Sequence, residues 1–290
     1  MSPNAFRTVW DRLEDPKTQP RRLRHLVEMD FREFREKVYS EDPAFAERLV
    51  GSFYSGDVYI LKNAFPRAFL DEVRAKLAAH GRETPSSFHK MIEGCPNFHR
   101  VIDEELARQK KYGVEVIRHS FYFFPWNPDP FGIVEPVYER WRVLKVARGH
   151  ARDEYERTTP KDGIVDRIQV ALYPAGAGGL ELHSDPYRYD RLPASVIMAQ
   201  RGVDFEAGGV YFADKDDKKV DVEGRLDVGD MYVIYPTILH GVDTIDPGTP
   251  VDWAGGKGRW WMGLYTNASD HVPDRQTVYG VKDVTVRDAN

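Results

Sequence analysis

The chain has 290 residues, of which 41% are hydrophobic and 12% aromatic, enough to bury a sizeable core in one or two domains. A net charge of −5 and a pI near 6.0 argue against nucleic acid as the partner. The lone Cys95 excludes an internal disulfide, and no apolar run approaches the ~18 residues of a membrane span.

In chain order, Met1 to Leu13 is studded with charges and lacks the roughly 7–15-residue apolar stretch of a secretory signal. The expectation is a soluble, cytoplasmic protein with no membrane partner. Residues 1–50 are predicted to be helical, because Leu23, Val27, Phe31, Phe34 and Val38 recur at three- and four-residue steps. Val58-Tyr59-Ile60-Leu61 reads as a strand. Phe65-Pro66 then opens a helix lined by Phe69, Val73 and Leu77 and closed by Gly81. Thr84 to Gly113 is irregular apart from a short helix around Ile102–Lys111. Val114–Trp126 is β-rich and aromatic, and its rings read as core in preference to a pocket wall. After the turn Asn127-Pro128-Asp129-Pro130, Val134–Ala147 reads as a helix with Val137, Trp141 and Leu144 on one side. From Ile164 onward, short alternating strands are separated by turn clusters every ten or so residues, the pattern of a β-sandwich or barrel. With no repeat and no change of composition, the expectation is a single domain over 1–290, with residues 1–50 as a helical N-terminal buttress.

Within that β-rich half, His183 and Asp185 lie two residues apart at the end of an apolar stretch, and on a strand that spacing puts both on one face. His240 opens another strand-like run and is placed to supply a second imidazole. Two histidines and a carboxylate that leave other positions open form the ligand set of non-haem iron(II) oxygenases. A His-x-Asp triplet alone is weak evidence, since about one is expected by chance at ordinary composition with nine histidines. Its surroundings carry more weight.

Those surroundings are an ordered series. Asp166–Tyr173 leads through a Pro/Gly-rich turn to Leu180-Glu181-Leu182-His183-Ser184-Asp185. Then follow Asp204–Phe212 with its Gly208-Gly209 pair, Leu226–Pro236, His240-Gly241-Val242 and Gly258-Arg259-Trp260-Trp261. The series resembles the iron(II)- and 2-oxoglutarate-dependent oxygenases, nearest to the prolyl-4-hydroxylase-like branch. The resemblance covers residues 165–267, with a weaker echo at 57–80. It implies a mainly β fold with flanking helices, a double-stranded β-helix (jelly-roll, cupin-like) whose catalytic core spans 165–270.

The same resemblance implies site roles. His183, Asp185 and His240 fall on the iron-ligand positions. Arg259 falls where an Arg or Lys anchors the distal carboxylate of 2-oxoglutarate by a charge-assisted contact. Eighteen residues separate His240 from Arg259, more than the family usually shows, so Asp246–Lys257 reads as an inserted loop and Lys257 and Arg225 stand as competing anchors. Tyr173 matches a hydrogen-bond donor to the cosubstrate. Arg118, His119 and Arg188 carry no specific signal and read as surface residues, and Cys95 as a buried structural thiol. The implied function is hydroxylation, or a related oxidation, of an unactivated C–H bond of a small molecule, amino-acid-like or a secondary metabolite. Cofactor and cosubstrates would be iron(II), 2-oxoglutarate and dioxygen, with ascorbate supportive and succinate and carbon dioxide released. The alternatives are a peptidyl, prolyl-type hydroxylase, a cupin-type metal enzyme without 2-oxoglutarate, and a non-catalytic jelly-roll binding module.

Overall fold

The computed structural model describes residues 4–109, 113–251, 253–281 and 284–288. The N-terminal part begins with α1 (Ala5–Leu13), then β1 (Leu26–Asp30), α2 (Phe31–Tyr39), α3 (Pro43–Tyr54) and β2 (Val58–Lys62). Next come α4 (Arg67–Glu83), β3 (Phe98–Ile102), α5 (Glu104–Arg108), β4 (Val116–Phe123) and α6 (Val134–Ala147). The C-terminal half is almost wholly β. It holds β5 (Ile164–Pro174), β6 (Gly179–Ser184), β7 (Ala194–Ile197), β8 (Gly209–Ala213) and β9 (Lys219–Asp221), followed by β10 (Met231–Val233), β11 (His240–Asp243), β12 (Gly258–Ala268) and β13 (Tyr279–Gly280).

The helices start where short polar side chains satisfy the free N–H groups of a first turn. Asn4, Asp30 and Asp42 cap α1, α2 and α3, the last with Pro43 in its first turn. Phe6, Val9 and Trp10 of α1 are buried, as are Phe31, Phe34 and Val38 of α2. The apolar stripe of residues 1–50 is therefore only partly helical. Leu26–Asp30 is a strand instead, because it pairs in parallel with Val58–Lys62, and that distant partner decides its conformation.

The strands form one curled sheet in the order β1-β2-β10-β7-β12-β5-β4-β6-β11-β8-β9, with β3 added to β4 and β13 to β6. β4 is the fold line. Its later residues pair with β5, whereas Val116 and Ile117 pair with β6. The sheet thus divides into two wings that share a cavity, lined from one wing by Tyr173, Arg259 and Trp261 and from the other by His183, His240 and Val242. The helices cover the convex side, and the apolar core is continuous from Phe6 through Trp141 to Leu264.

Two further sequence expectations need correction. Gly81 lies inside α4 and does not end it, since α4 runs to Glu83. A Cβ at Gly81 would meet His119 Cε1 at 2.6 Å, so the glycine lets the helix settle on β4. Residues 84–113 contain β3, which the sequence leaves irregular; its partner is the aromatic β4. The short helix expected around Ile102–Lys111 is present as α5 over Glu104–Arg108; Lys110 and Lys111 of the expected range lie outside the described residues. The remaining expected elements, β2, β4 and α6, are present, α6 with the bounds expected of it. Among the described residues, no helix is long and apolar enough to cross a membrane.

Candidate metal centre and adjoining cavity

His183 and His240 are direct cross-strand partners on β6 and β11. Their rings lie 4.2 Å apart between centroids. Asp185 follows β6 by one residue, where its backbone N–H donates to the Pro236 carbonyl at 2.8 Å. That bond holds the carboxylate on the same face as His183. Asp185 Oδ1 lies 3.8 Å from His183 Nε2, and Oδ2 lies 3.9 Å from His240 Nε2. One ligating atom from each residue falls within 4.8 Å of the other two, which suits one ion with two imidazoles and a carboxylate.

The backbone orients both imidazoles. His183 Nδ1 lies 2.9 Å from the Glu181 carbonyl, and His240 Nδ1 lies 2.9 Å from the Ile238 carbonyl. A carbonyl only accepts, so each Nδ1 carries the proton and each Nε2 offers its lone pair to the common point. Burial, followed by the neighbouring His240, holds His183 well below its ordinary pKa, in the neutral form that binds metal. Burial pushes the Asp185 carboxyl up; His240, Arg118 and Arg167 oppose that rise.

A few residues along the other wing, Arg259 is almost wholly buried. Its Nε donates to Glu223 Oε2 at 2.7 Å, and Glu223 Oε2 also accepts the Val210 N–H at 2.8 Å. Arg259 Nη2 is buried with no hydrogen-bond partner. The guanidinium is thus held through Nε and keeps an unsatisfied donor at Nη2, and the residue lines the cavity that holds the triad. Tyr173 is its cross-strand neighbour on β5, with Arg259 Cζ 6.0 Å from the ring centroid. Both residues line the cavity. Tyr232, pushed up to about 12 chiefly by burial, stays protonated on the same wall.

Neither competing anchor reaches this place. Lys257 is exposed just before β12, and Arg225 is exposed and paired with Glu28 at 2.7 Å. The readings of Arg118 and His119 as surface residues also fail. Arg118 lines the cavity, and His119 is buried beneath α4. Arg188 is exposed and stacks on Tyr189. Cys95 is a buried free thiol, pushed up to about 11 mainly by burial. The aromatic run of β4 is divided by strand alternation. Tyr122 and Phe124 line the cavity, whereas Phe121 and Phe123 belong to the main core on the other face.

Sequence reasoning passed over Glu223, which lies 36 residues before Arg259. The signal that could have found it is the Gly208-Gly209 pair. A Cβ on Gly209 would lie 2.5 Å from Glu223 Cγ, so this glycine makes room for the carboxylate that holds the arginine.

No protein-family model and no curated protein matches the sequence. Solved structures do match. A full-length Neurospora crassa protein in complex with α-ketoglutarate (2-oxoglutarate) and thymine is 13% identical over 88% of each chain, with a TM-score of 0.51. A Pseudomonas putida prolyl-4-hydroxylase is 16% identical over 76% of this chain and 96% of its own, with a TM-score of 0.42. A Burkholderia pseudomallei oxidoreductase of the 2OG-Fe(II) oxygenase family is 12% identical over 87% and 98%, with a TM-score of 0.41. At such identities the likeness to the Neurospora protein is one of fold. The chain has the jelly-roll fold of the 2-oxoglutarate/iron(II) oxygenases.

Proposed function

We propose that the chain is an iron(II)- and 2-oxoglutarate-dependent oxygenase that hydroxylates, or otherwise oxidises, a C–H bond of a small molecule. The observation that carries this reading is the meeting, in one cavity, of the His183–Asp185–His240 cluster with the unsatisfied donor of buried Arg259. The three ligands would hold the iron, which when bound supplies dioxygen activation coupled to loss of carbon dioxide from 2-oxoglutarate. Arg259 would take the distal carboxylate of 2-oxoglutarate, with Tyr173 beside it.

The chain's own contribution is placement and exclusion of water. The Glu181 and Ile238 carbonyls fix both imidazoles, Glu223 fixes the arginine, and the buried wall around them keeps water from the reacting atoms. A cupin-type metal enzyme without 2-oxoglutarate would have no use for a buried cation so placed. The whole chain, 1–290, is read as one oxygenase domain, and its single buried cysteine fits a reducing cytoplasm.

The test is anaerobic iron(II) binding and 2-oxoglutarate binding, followed by succinate release in air. One metal per chain is expected, abolished by His183→Ala and by Asp185→Ala. Succinate should form slowly without substrate and, with substrate, in about equal amount to the oxidised product. A wild-type protein that takes up iron but neither binds 2-oxoglutarate nor forms succinate would sink the reading in favour of a binding module.

A further inference from the structure

Beyond the triad and Arg259, the cavity carries cationic and donor groups that those roles leave unused. Five arginines line it: Arg100, Arg118, Arg167, Arg259 and Arg275. Its carboxylates are all engaged. Asp185 belongs to the metal cluster, Asp190 pairs with Arg148 at 2.9 Å, and Asp270 pairs with Arg275 at 2.8 Å. Arg118 and Arg167 form no salt bridge with any described carboxylate, and the Nε of each is buried without a hydrogen-bond partner, although Arg118 lies beside Tyr173 at the cosubstrate end. This is a positive lining within a chain of net charge −5.

Arg167 is held only by neutral groups. Its guanidinium lies 5.4 Å from the ring centroids of both Tyr122 and Tyr265, and it donates to Gln169 Oε1 at 3.2 Å. Asn267, one step further along the same face of β12 than Tyr265, also has a buried Nδ2 with no partner. An unpaired buried charge costs several kcal/mol, so such an arrangement is stable in a working complex when a ligand brings the counter-charge. The unsatisfied groups are donors, and the missing partner is therefore an acceptor-rich anion.

Register separates this seat from the cosubstrate. Arg259 pairs with Tyr173 at one end of the β5–β12 ladder, and Tyr265 pairs with Arg167 towards the other. Six residues at about 3.3 Å each place them roughly 20 Å apart along the strand. A 2-oxoglutarate molecule anchored on Arg259 cannot also satisfy Arg167.

We propose that the substrate is a small organic acid whose carboxylate is seated on Arg167, and whose apolar body lies against the aromatic wall formed by Tyr122, Phe124 and Tyr265. The word substrate here rests on the oxygenase reading; the anion seat does not. Metal or 2-oxoglutarate alone leaves the seat unsatisfied, and a neutral substrate would leave the Arg167 guanidinium without an ion-pair partner.

The experiment uses matched pairs of acid and primary amide: benzoate, phenylacetate, 3-phenylpropanoate and indole-3-acetate, each against its amide. They are titrated calorimetrically into protein loaded with manganese(II) and saturating 2-oxoglutarate, and again into protein without either. At least one acid should bind tenfold or more tightly than its amide, a difference of about 1.4 kcal/mol. Arg167→Gln should erase that preference and Arg167→Lys should keep part of it. Amides that bind as well as the acids, acids displaced by 2-oxoglutarate, or no binding by any probe up to 10 mM would each overturn the proposal, and these need no variant. Protein that binds neither metal nor 2-oxoglutarate yet prefers the acids would defeat the oxygenase reading and leave the seat standing.

Discussion

Glu223 holds Arg259 by its Nε at 2.7 Å, with both side chains almost completely buried. The pair leaves Nη2 of the guanidinium buried without a partner, and Arg259 lines the cavity. A buried arginine with a single carboxylate on one edge is an oriented donor. It cannot turn away from the cavity without leaving Glu223 uncompensated.

Arg259→Ala should therefore weaken 2-oxoglutarate binding about thirtyfold or more. Removing one partner of a desolvated charge pair costs roughly 2–5 kcal/mol, and about 1.4 kcal/mol is tenfold. Glu223→Ala should cost less, about tenfold, because the cation remains but regains up to roughly 2 kcal/mol of rotamer freedom that binding must remove. Glu223→Gln keeps an acceptor for Nε and should fall between wild type and Glu223→Ala. Calorimetric titration of 2-oxoglutarate into the manganese-loaded proteins checks the order. An unchanged affinity in Arg259→Ala would exclude it as the anchor.

Gly209→Ala tests the same lock without touching either charged group. Gly209 has φ of +122°, and a Cβ there would lie 2.5 Å from Glu223 Cγ. The substitution is strained by backbone and by contact alike, so Glu223 must move and Arg259 with it. A several-fold loss of 2-oxoglutarate affinity is expected, with metal affinity unchanged, since Gly209 pairs with Asp243, three residues along β11 from His240, and its Cβ would meet Glu223 and none of the triad. Equal loss of both affinities would mean that the sheet itself had shifted.

Much of this site is legible in the sequence because its geometry is local. The two-residue step from His183 to Asp185 and the alternation of Arg259, Trp261, Gly263 and Tyr265 both follow from the period of a strand. The helix over Val134–Ala147 is equally local, set by its own apolar periodicity. What the sequence hides depends on distant partners. Leu26–Asp30 is a strand only because Val58–Lys62 lies beside it, and Glu223 matters only because β8 and β12 bring it to Arg259. Arg118 and Arg167 look like the solvent side of two alternating strands. The curl of the sheet turns that polar face inward around a cavity, and nothing within either strand records the curl.

The seating of α6 rests on a buried ion pair. Lys145 Nζ donates to Asp166 Oδ2 at 2.6 Å, with both side chains at most 1% exposed. Asp166 also accepts from Tyr138 at 3.1 Å and from Thr266 Oγ1 at 2.9 Å, which ties the helix to β5 and β12. Lys145→Met leaves a buried carboxylate without its cation and should destabilise by about 3–5 kcal/mol. Adding Asp166→Asn removes the stranded charge and should restore part of that loss. Urea unfolding midpoints of the single and double variants decide it; a double variant no better than Lys145→Met would show that the charge itself is not the cause.

Acid sensitivity should arise at the histidines between α4 and the sheet. His99 Nδ1 and His119 Nε2 lie 2.8 Å apart, so one of these nitrogens donates and the other must be bare. Thr84 Oγ1 lies 2.8 Å from His99 Nε2. Burial, then His99 and His80, pushes His119 down to about 4, and burial followed by His80 lowers His99. In the unfolded chain a histidine takes its proton near pH 6.5. Between pH 6.5 and about 4 the unfolded state therefore binds protons that the folded state refuses, and stability falls as pH falls. The contribution of His119 is fully present above pH 6.5 and lost by about pH 4, a swing of roughly 3 kcal/mol. His119→Gln removes the titrating group, so its unfolding free energy should decline less steeply over that window than the wild type's. Chemical unfolding at pH 7.5, 6, 5 and 4.5 gives both slopes, and parallel slopes would remove His119 as the cause.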